Sequence, residues 1–162
     1  MVESLKVLVY LDGSDNSYTA SQYAIYLAKK HHMEAIGVCV VKDTTLDELM
    51  HHHILLPQEK EEYLRDLKKD AQKHERQFQR LAQEKNVLAQ TMVFSGQADT
   101  KKSIIDLITR ENITYFIVGE LPHFRSRTDA FYSETEHLVD TVPCSVMIVK
   151  DPFRVEKLFD SV

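Results

Sequence analysis

Long hydrophobic runs are missing from this chain of 162 residues. The longest, such as residues 7–11 and 146–149, fall far short of the roughly 20 apolar residues that a membrane-crossing helix needs. No spanning segment is expected. The opening "MVESLKVLVYLDGS" has no signal-peptide cleavage pattern, so a cytoplasmic location is the expectation. Cysteine is scarce as well: Cys39 and Cys144 stand far apart, each in an apolar, strand-like context. They read as buried thiols, not as a disulfide or a nucleophile. An excess of positive charge is also absent. A net charge of -5 argues against nucleic acid as a partner, because phosphate binding relies on a basic face.

What is present is globular composition, 43% hydrophobic and 28% charged, in a length that suits one ordinary domain. The run Lys6-Val7-Leu8-Val9-Tyr10-Leu11 reads as a strand covered on both faces, stopped by the turn Asp12-Gly13-Ser14. Ser14, Asp15 and Asn16 are good N-cap residues. Ala20, Tyr23, Ala24, Leu27 and Ala28 then recur at helical spacing until Lys29, Lys30, His31 and His32 close the helix with positive charge. A second strand is expected over residues 35–41, followed by a variable segment over 42–57. A charged helix over 59–85 carries Leu64, Leu67, Ala71, Phe78 and Leu81 on one stripe. Its partial heptad spacing suits a coiled coil, but a crossover helix must cover the sheet.

Residues 87–94 form the third expected strand. Thr100 can cap a helix that carries Ile104, Ile105, Leu107 and Ile108, and Asn112, tolerant of the left-handed conformation, can end it. A fourth strand spans 115–118. Ser133 and Glu136 have the spacing of a capping box, and the helix they start runs to Pro143. The fifth strand is 145–149. Residues 1–150 are the expected domain and 151–162 a tail able to dock through Phe153, Val155, Leu158 and Phe159. Strands alternating with helices, apolar on both faces, imply an α/β fold: a parallel sheet between two helix layers. Ligands in such sheets sit beyond the carboxyl ends of the strands, where the winding direction switches.

"KVLVYLDGSDNSYTASQYAIYLAKK", "FSGQADTKKSIIDLITRENITYFIVGE" and "VPCSVMIVK", in this order and spacing, resemble the universal stress protein family over residues 5–150. The resemblance implies a three-layer α/β/α fold with a five-stranded parallel sheet in the order 3-2-1-4-5, and homodimers formed through the edge strand at residues 145–149. An apolar edge with unpaired backbone groups supports that pairing independently, unless the tail covers it.

Family members that bind ATP carry Gly-x-x-Gly, nine residues, then Gly-Ser or Gly-Thr. Here the frame falls on Gly119, Pro122, Tyr132 and Ser133, so two glycines are lost. By the same resemblance Asp12 meets the nucleoside end of a ligand, and Val41 or Val40 presents backbone groups to the base. Pro122 has no N–H to offer a phosphate. Tyr132 adds a side chain where the backbone has to approach, with strain if the position demands a positive φ. At about 1.5 to 3 kcal/mol for a charge-assisted hydrogen bond, these changes weaken triphosphate binding by roughly ten- to a thousand-fold. Arg125 and Arg127 on the same loop supply guanidinium groups that can grip phosphate instead; the alternative is a solvated basic loop.

Several residues admit a local reading beside the ligand one. Ser133 can act as an N-cap alone, and Asp12 can hold the Asp-Gly-Ser turn. The turn "DGSDNS" matches the phosphate loop of ATP pyrophosphatases only at Gly13 and Ser17, too little to imply that activity. His51, His52 and His53 lack the partner spacing of a closed metal site and read as a polar loop. No catalytic constellation stands out. The expectation is a stress-response or regulatory protein with lost or weakened ATP binding and no required cofactor. The alternative is a switch, or slow ATPase, that holds ATP or another adenine nucleotide through Arg125 and Arg127.

Overall fold

The computed structural model describes residues 3–42, 49–96, 100–121 and 130–162. Five strands alternate with helices along the chain: β1 (Lys6–Leu11), α1 (Asp15–His31), β2 (Glu34–Lys42), α2 (Pro57–Glu84), β3 (Ala89–Gly96), α3 (Thr100–Glu111), β4 (Tyr115–Gly119), α4 (Ala130–Thr141), β5 (Ser145–Val149) and α5 (Pro152–Asp160). All neighbouring strands pair in parallel, in the order β3-β2-β1-β4-β5. Because β1 sits in the middle, the chain winds outward one way through β2 and β3, then returns to add β4 and β5 on the other side.

Each face of the sheet has its own core. Val7, Val9, Leu11, Cys39, Val41, Ile117 and Val149 pack with α1, α2 and α5, where Phe78 is the largest fully buried side chain. Leu8, Ile36, Val38, Phe116 and Val118 pack on the opposite face with Ile104, Leu107 and Leu138 of α3 and α4. The strict alternation along β1 follows from the pleat, which sends successive side chains to opposite faces. Each fully buried aliphatic or aromatic side chain contributes about 1.5 to 3 kcal/mol.

Local signals act where the sequence puts them. Ser14 caps α1 by accepting from Ser17 N, and His32 ends that helix in the left-handed region at φ 55°. Asn112 does the same for α3 at φ 52°, which lets Ile113 N–H reach back to the Ile108 carbonyl at 3.0 Å. At the amino ends of the strands, Lys6 Nζ donates to Glu111 at 3.1 Å and lies 4.0 Å from Glu34, whose carboxylate also accepts from the Gln90 amide.

The structure departs from the sequence reading in several places. α4 begins at Ala130, so Ser133 is its fourth residue and does not cap it; the capping-box spacing falls inside the helix. β3 starts at Ala89 and not at 87, and α2 starts two residues early, where the Glu59 carboxylate accepts from Leu56 N at 2.9 Å. α3 begins with Thr100 already helical. Cys144 is half-buried, unlike Cys39. The tail forms a nine-residue helix capped by Asp151, with Val155 and Phe159 buried. It packs chiefly along α1, and Lys85 at the end of α2 holds it by donating to the Val162 carbonyl at 3.2 Å and lying 4.5 Å over the Phe159 ring. Among the described residues, the outer edge of β5 is unpaired, and Ile148 there is 42% exposed.

α2 covers the sheet with only part of its stripe. Ala71, Phe78, Leu81 and Ala82 are buried, Leu67 packs against the core, and Tyr63 toward the amino end is exposed.

Candidate ligand crevice

The winding direction switches between β1 and β4, and their ladder ends with the pair Val9–Ile117. β1 stays paired with β2 two residues longer, to Leu11–Cys39. From Tyr10 onward β1 and β4 are no longer paired, and in sheets of this kind the ligand crevice lies beyond the carboxyl ends of the strands at such a switch. β2 continues through Val40 and Val41 to Lys42, where β1 has no residue opposite it. The Val41 side chain is turned into the core beneath α1 and α2 and is 3% exposed, so only its main chain is offered to the crevice.

Ser17 of α1 closes the backbone of β1 where β4 leaves it. Its hydroxyl donates to the Tyr10 carbonyl at 3.1 Å and accepts from Asp12 N at 3.2 Å. Asp12 in turn holds the turn: its Oδ1 accepts from Ser14 N at 2.9 Å and from Ser14 Oγ at 2.5 Å. The local role foreseen for Asp12 is therefore filled, and the carboxylate remains exposed at the crevice. Gly13 adopts φ 81°, and a Cβ there would stand 2.4 Å from Nε2 of His74, which α2 lays against the turn. Ser14, Tyr18, Ser21, His74 and Gln77 line a narrow groove on that side, between α1 and α2.

The opposite wall is the end of β4. A Cβ on Gly119 would lie 2.4 Å from the main-chain oxygen of Asn16, so β4 reaches the first turn of α1 only because residue 119 is glycine. Asn16 Nδ2 fastens the contact by donating to the Glu120 carbonyl at 2.9 Å. This glycine, the first of the nucleotide frame, has a packing duty that needs no ligand. Pro122, Arg125 and Arg127 lie outside the described residues. Tyr132 and Ser133 stand in the first turn of α4 with helical backbone, so Tyr132 carries no positive-φ strain. The structure thus brings Asp12, Gly119 and the main chain of Val41 to one end of the sheet. It adds Tyr10, Asn16, Ser17 and His74, to which pattern reading gave no role at this site because they look like ordinary members of a strand or helix.

Ionisation follows burial. The Cys39 thiol is pushed up to about 12 by burial and then by Glu75, and the Cys144 thiol is raised by burial, partly offset by a hydrogen bond from the Phe116 backbone. Neither is a ready nucleophile. The Tyr10 phenol is also pushed up to about 12, by burial first and then by Asp12 and Cys39. His51, His52 and His53 are exposed, and among the described residues no group of three or more His, Cys, Asp or Glu is arranged to hold a metal. Nor is any described helix long and apolar enough to cross a membrane.

The sequence profile of the universal stress protein family matches residues 4–150. The chain belongs to the universal stress protein family. No curated protein matches it by sequence. Among solved structures it resembles a universal stress protein from Lactobacillus plantarum at 22% identity and a TM-score of 0.68, covering 93% of this chain and 100% of that one. It also resembles the universal stress protein from Archaeoglobus fulgidus in complex with dAMP, at 10% identity and TM-score 0.59, over 93% of this chain and 100% of that one. A third is a family protein from Arabidopsis thaliana with AMP bound, at 15% identity and TM-score 0.59, over 90% and 91% of the two chains. At these identities the likeness is one of fold. Helix α5 lies beyond residues 4–150, the extent of the family match.

Proposed function

We propose that this universal stress protein is a cytosolic stress-response or regulatory protein whose ATP binding is lost or weakened, and that it acts by binding partners or a different small ligand. The observation that carries this reading is Pro122 and Tyr132 in place of two glycines within an otherwise intact frame from Gly119 to Ser133. Two further contacts support it. Gly119 is accounted for by its approach to Asn16, and Asp12 by its hydrogen bonds to Ser14, so neither residue testifies to a triphosphate.

A second reading keeps an adenine nucleotide, with Arg125 and Arg127 holding the phosphate and Asp12 the nucleoside. The AMP and dAMP bound in two similar structures favour it, since a monophosphate asks less of the missing cradle. Titration calorimetry with Mg-ATP and with AMP separates the two. The first reading expects millimolar or undetectable ATP binding, and micromolar affinity would sink it. The second expects AMP binding that the double change Arg125→Ala, Arg127→Ala abolishes.

The reading includes a homodimer through β5. Its support is an apolar strand with one side of its backbone unpaired among the described residues, which a second copy of the same strand would satisfy. Analytical ultracentrifugation is expected to give twice the chain mass; a monomer at tens of micromolar would remove this element.

A further inference from the structure

Phe153 is 79% exposed, the barest large apolar side chain among the described residues, and it stands in the first turn of α5. At about 3.8 Å between successive Cα atoms, it lies no more than about 15 Å from Val149, the last residue of β5. A helix turns by about 100° per residue, which sets Phe153 nearly opposite Val155 and Phe159, the two residues that α5 buries. Since α5 packs chiefly along α1, Phe153 points away from that helix. Arg154, Glu156, Lys157 and Asp160 are exposed too, and no ion pair ties them to another described residue. A lone apolar residue in water needs no explanation. The place of this one does, because β5 ends beside it with an outer edge that is unpaired among the described residues.

We propose that α5 is the second part of a self-association surface that β5 begins, with Phe153 as its apolar anchor and an antiparallel α5 of a second copy as its occupant. This contact rests on the β5 homodimer reading given above. A strand of five residues makes a seam of about 17 Å, well short of the roughly 20 residues a side that a stable interface engages, so the pair needs further contact. Two β5 strands joined side by side and antiparallel are related by a two-fold axis perpendicular to the sheet. Both α5 helices then lie on the same face of the joined sheet, one on each side of the seam, and run in opposite directions. The charges of α5 suit that arrangement. They alternate in sign through Arg154, Glu156, Lys157 and Asp160, so reversing one copy sets Arg154 against Asp160 and Glu156 against Lys157 of the other. A parallel copy would set like against like.

The test is sedimentation equilibrium of the full chain and its variants, read as the dissociation constant of the dimer. Phe153→Ala removes a side chain that the single chain leaves in water, and an unchanged circular dichroism spectrum verifies its fold. It is expected to raise the dissociation constant by at least about tenfold. Leu88→Ala, at an equally bare leucine that precedes β3, is expected to leave it unchanged. Arg154→Asp is expected to weaken the dimer, and adding Asp160→Arg to restore it. These positions are too far apart for an i, i+3 or i, i+4 contact within one helix, so rescue reports contact across the seam. A dimer that Phe153→Ala leaves at full strength, or a charge reversal without rescue, overturns the α5 contact, while loss of the dimer in Ile148→Lys keeps the β5 pairing. A wild type that stays monomeric at tens of micromolar overturns both.

Discussion

The two ends of the sheet handle their polar groups in opposite ways. At the amino ends, side chains satisfy side chains: Lys6 bridges Glu111 and Glu34, and Glu34 accepts from Gln90, across three strands and α3. At the carboxyl ends, side chains satisfy the main chain: Ser17 closes Tyr10 and Asp12, Asp12 closes Ser14, and Asn16 closes Glu120. The first arrangement pairs its charges off. The second fixes the backbone and leaves the Asp12 side chain exposed. Hydrogen bonds to the backbone, not charge pairs, distinguish the carboxyl end of this sheet.

Two substitutions sharpen the contrast. The larger effect belongs to the carboxyl end. Gly119→Ala forces a methyl group against the Asn16 main chain, and a loss of about 3 kcal/mol is expected in denaturant unfolding. A loss below about 0.5 kcal/mol would mean that β4 does not press on α1. The smaller effect belongs to the amino end, where the Lys6–Glu111 pair is only partly shielded. Glu111→Gln is expected to cost at most about 1 kcal/mol at neutral pH.

The pH dependence of that pair has a definite sign. Hydrogen bonding from Lys6 lowers the Glu111 pKa in the folded state, with smaller help from Arg110. Its contribution is therefore present above the unfolded value and is lost as pH falls through the folded one. Thermal melts of the wild type and of Glu111→Gln should converge on acidification below about pH 4, near the ordinary glutamate range. A gap that widens in acid would contradict the pairing.

Much of the architecture was legible because it rests on local rules. The continuous apolar runs at 6–11 and 145–149 are the observed strands, Ser14 caps α1, and Asn112 turns left-handed where α3 ends. Harder to read were features whose cause is a partner distant in sequence. The amphipathic tail announced a face to bury but not that α1 would receive it. Ser133 and Glu136 have capping-box spacing, yet spacing alone does not exclude a helix that starts one turn earlier. At the site, Asp12 and Gly119 were visible as strand ends. Tyr10 counted only as one more large residue in an apolar run, because a hydrophobic pattern does not register a hydroxyl at the mouth of a crevice.

A Cβ on Gly119 would meet the Asn16 main chain first, at 2.4 Å, and only then that residue's Cβ at 2.8 Å, so shortening a neighbour's side chain would not make room for another residue. Selection for a stable fold would hold glycine at this position even in a lineage that had abandoned its ligand. Inheritance of this glycine is therefore a record of how β4 meets α1, and the history of nucleotide use must be read from positions 122 and 132 instead.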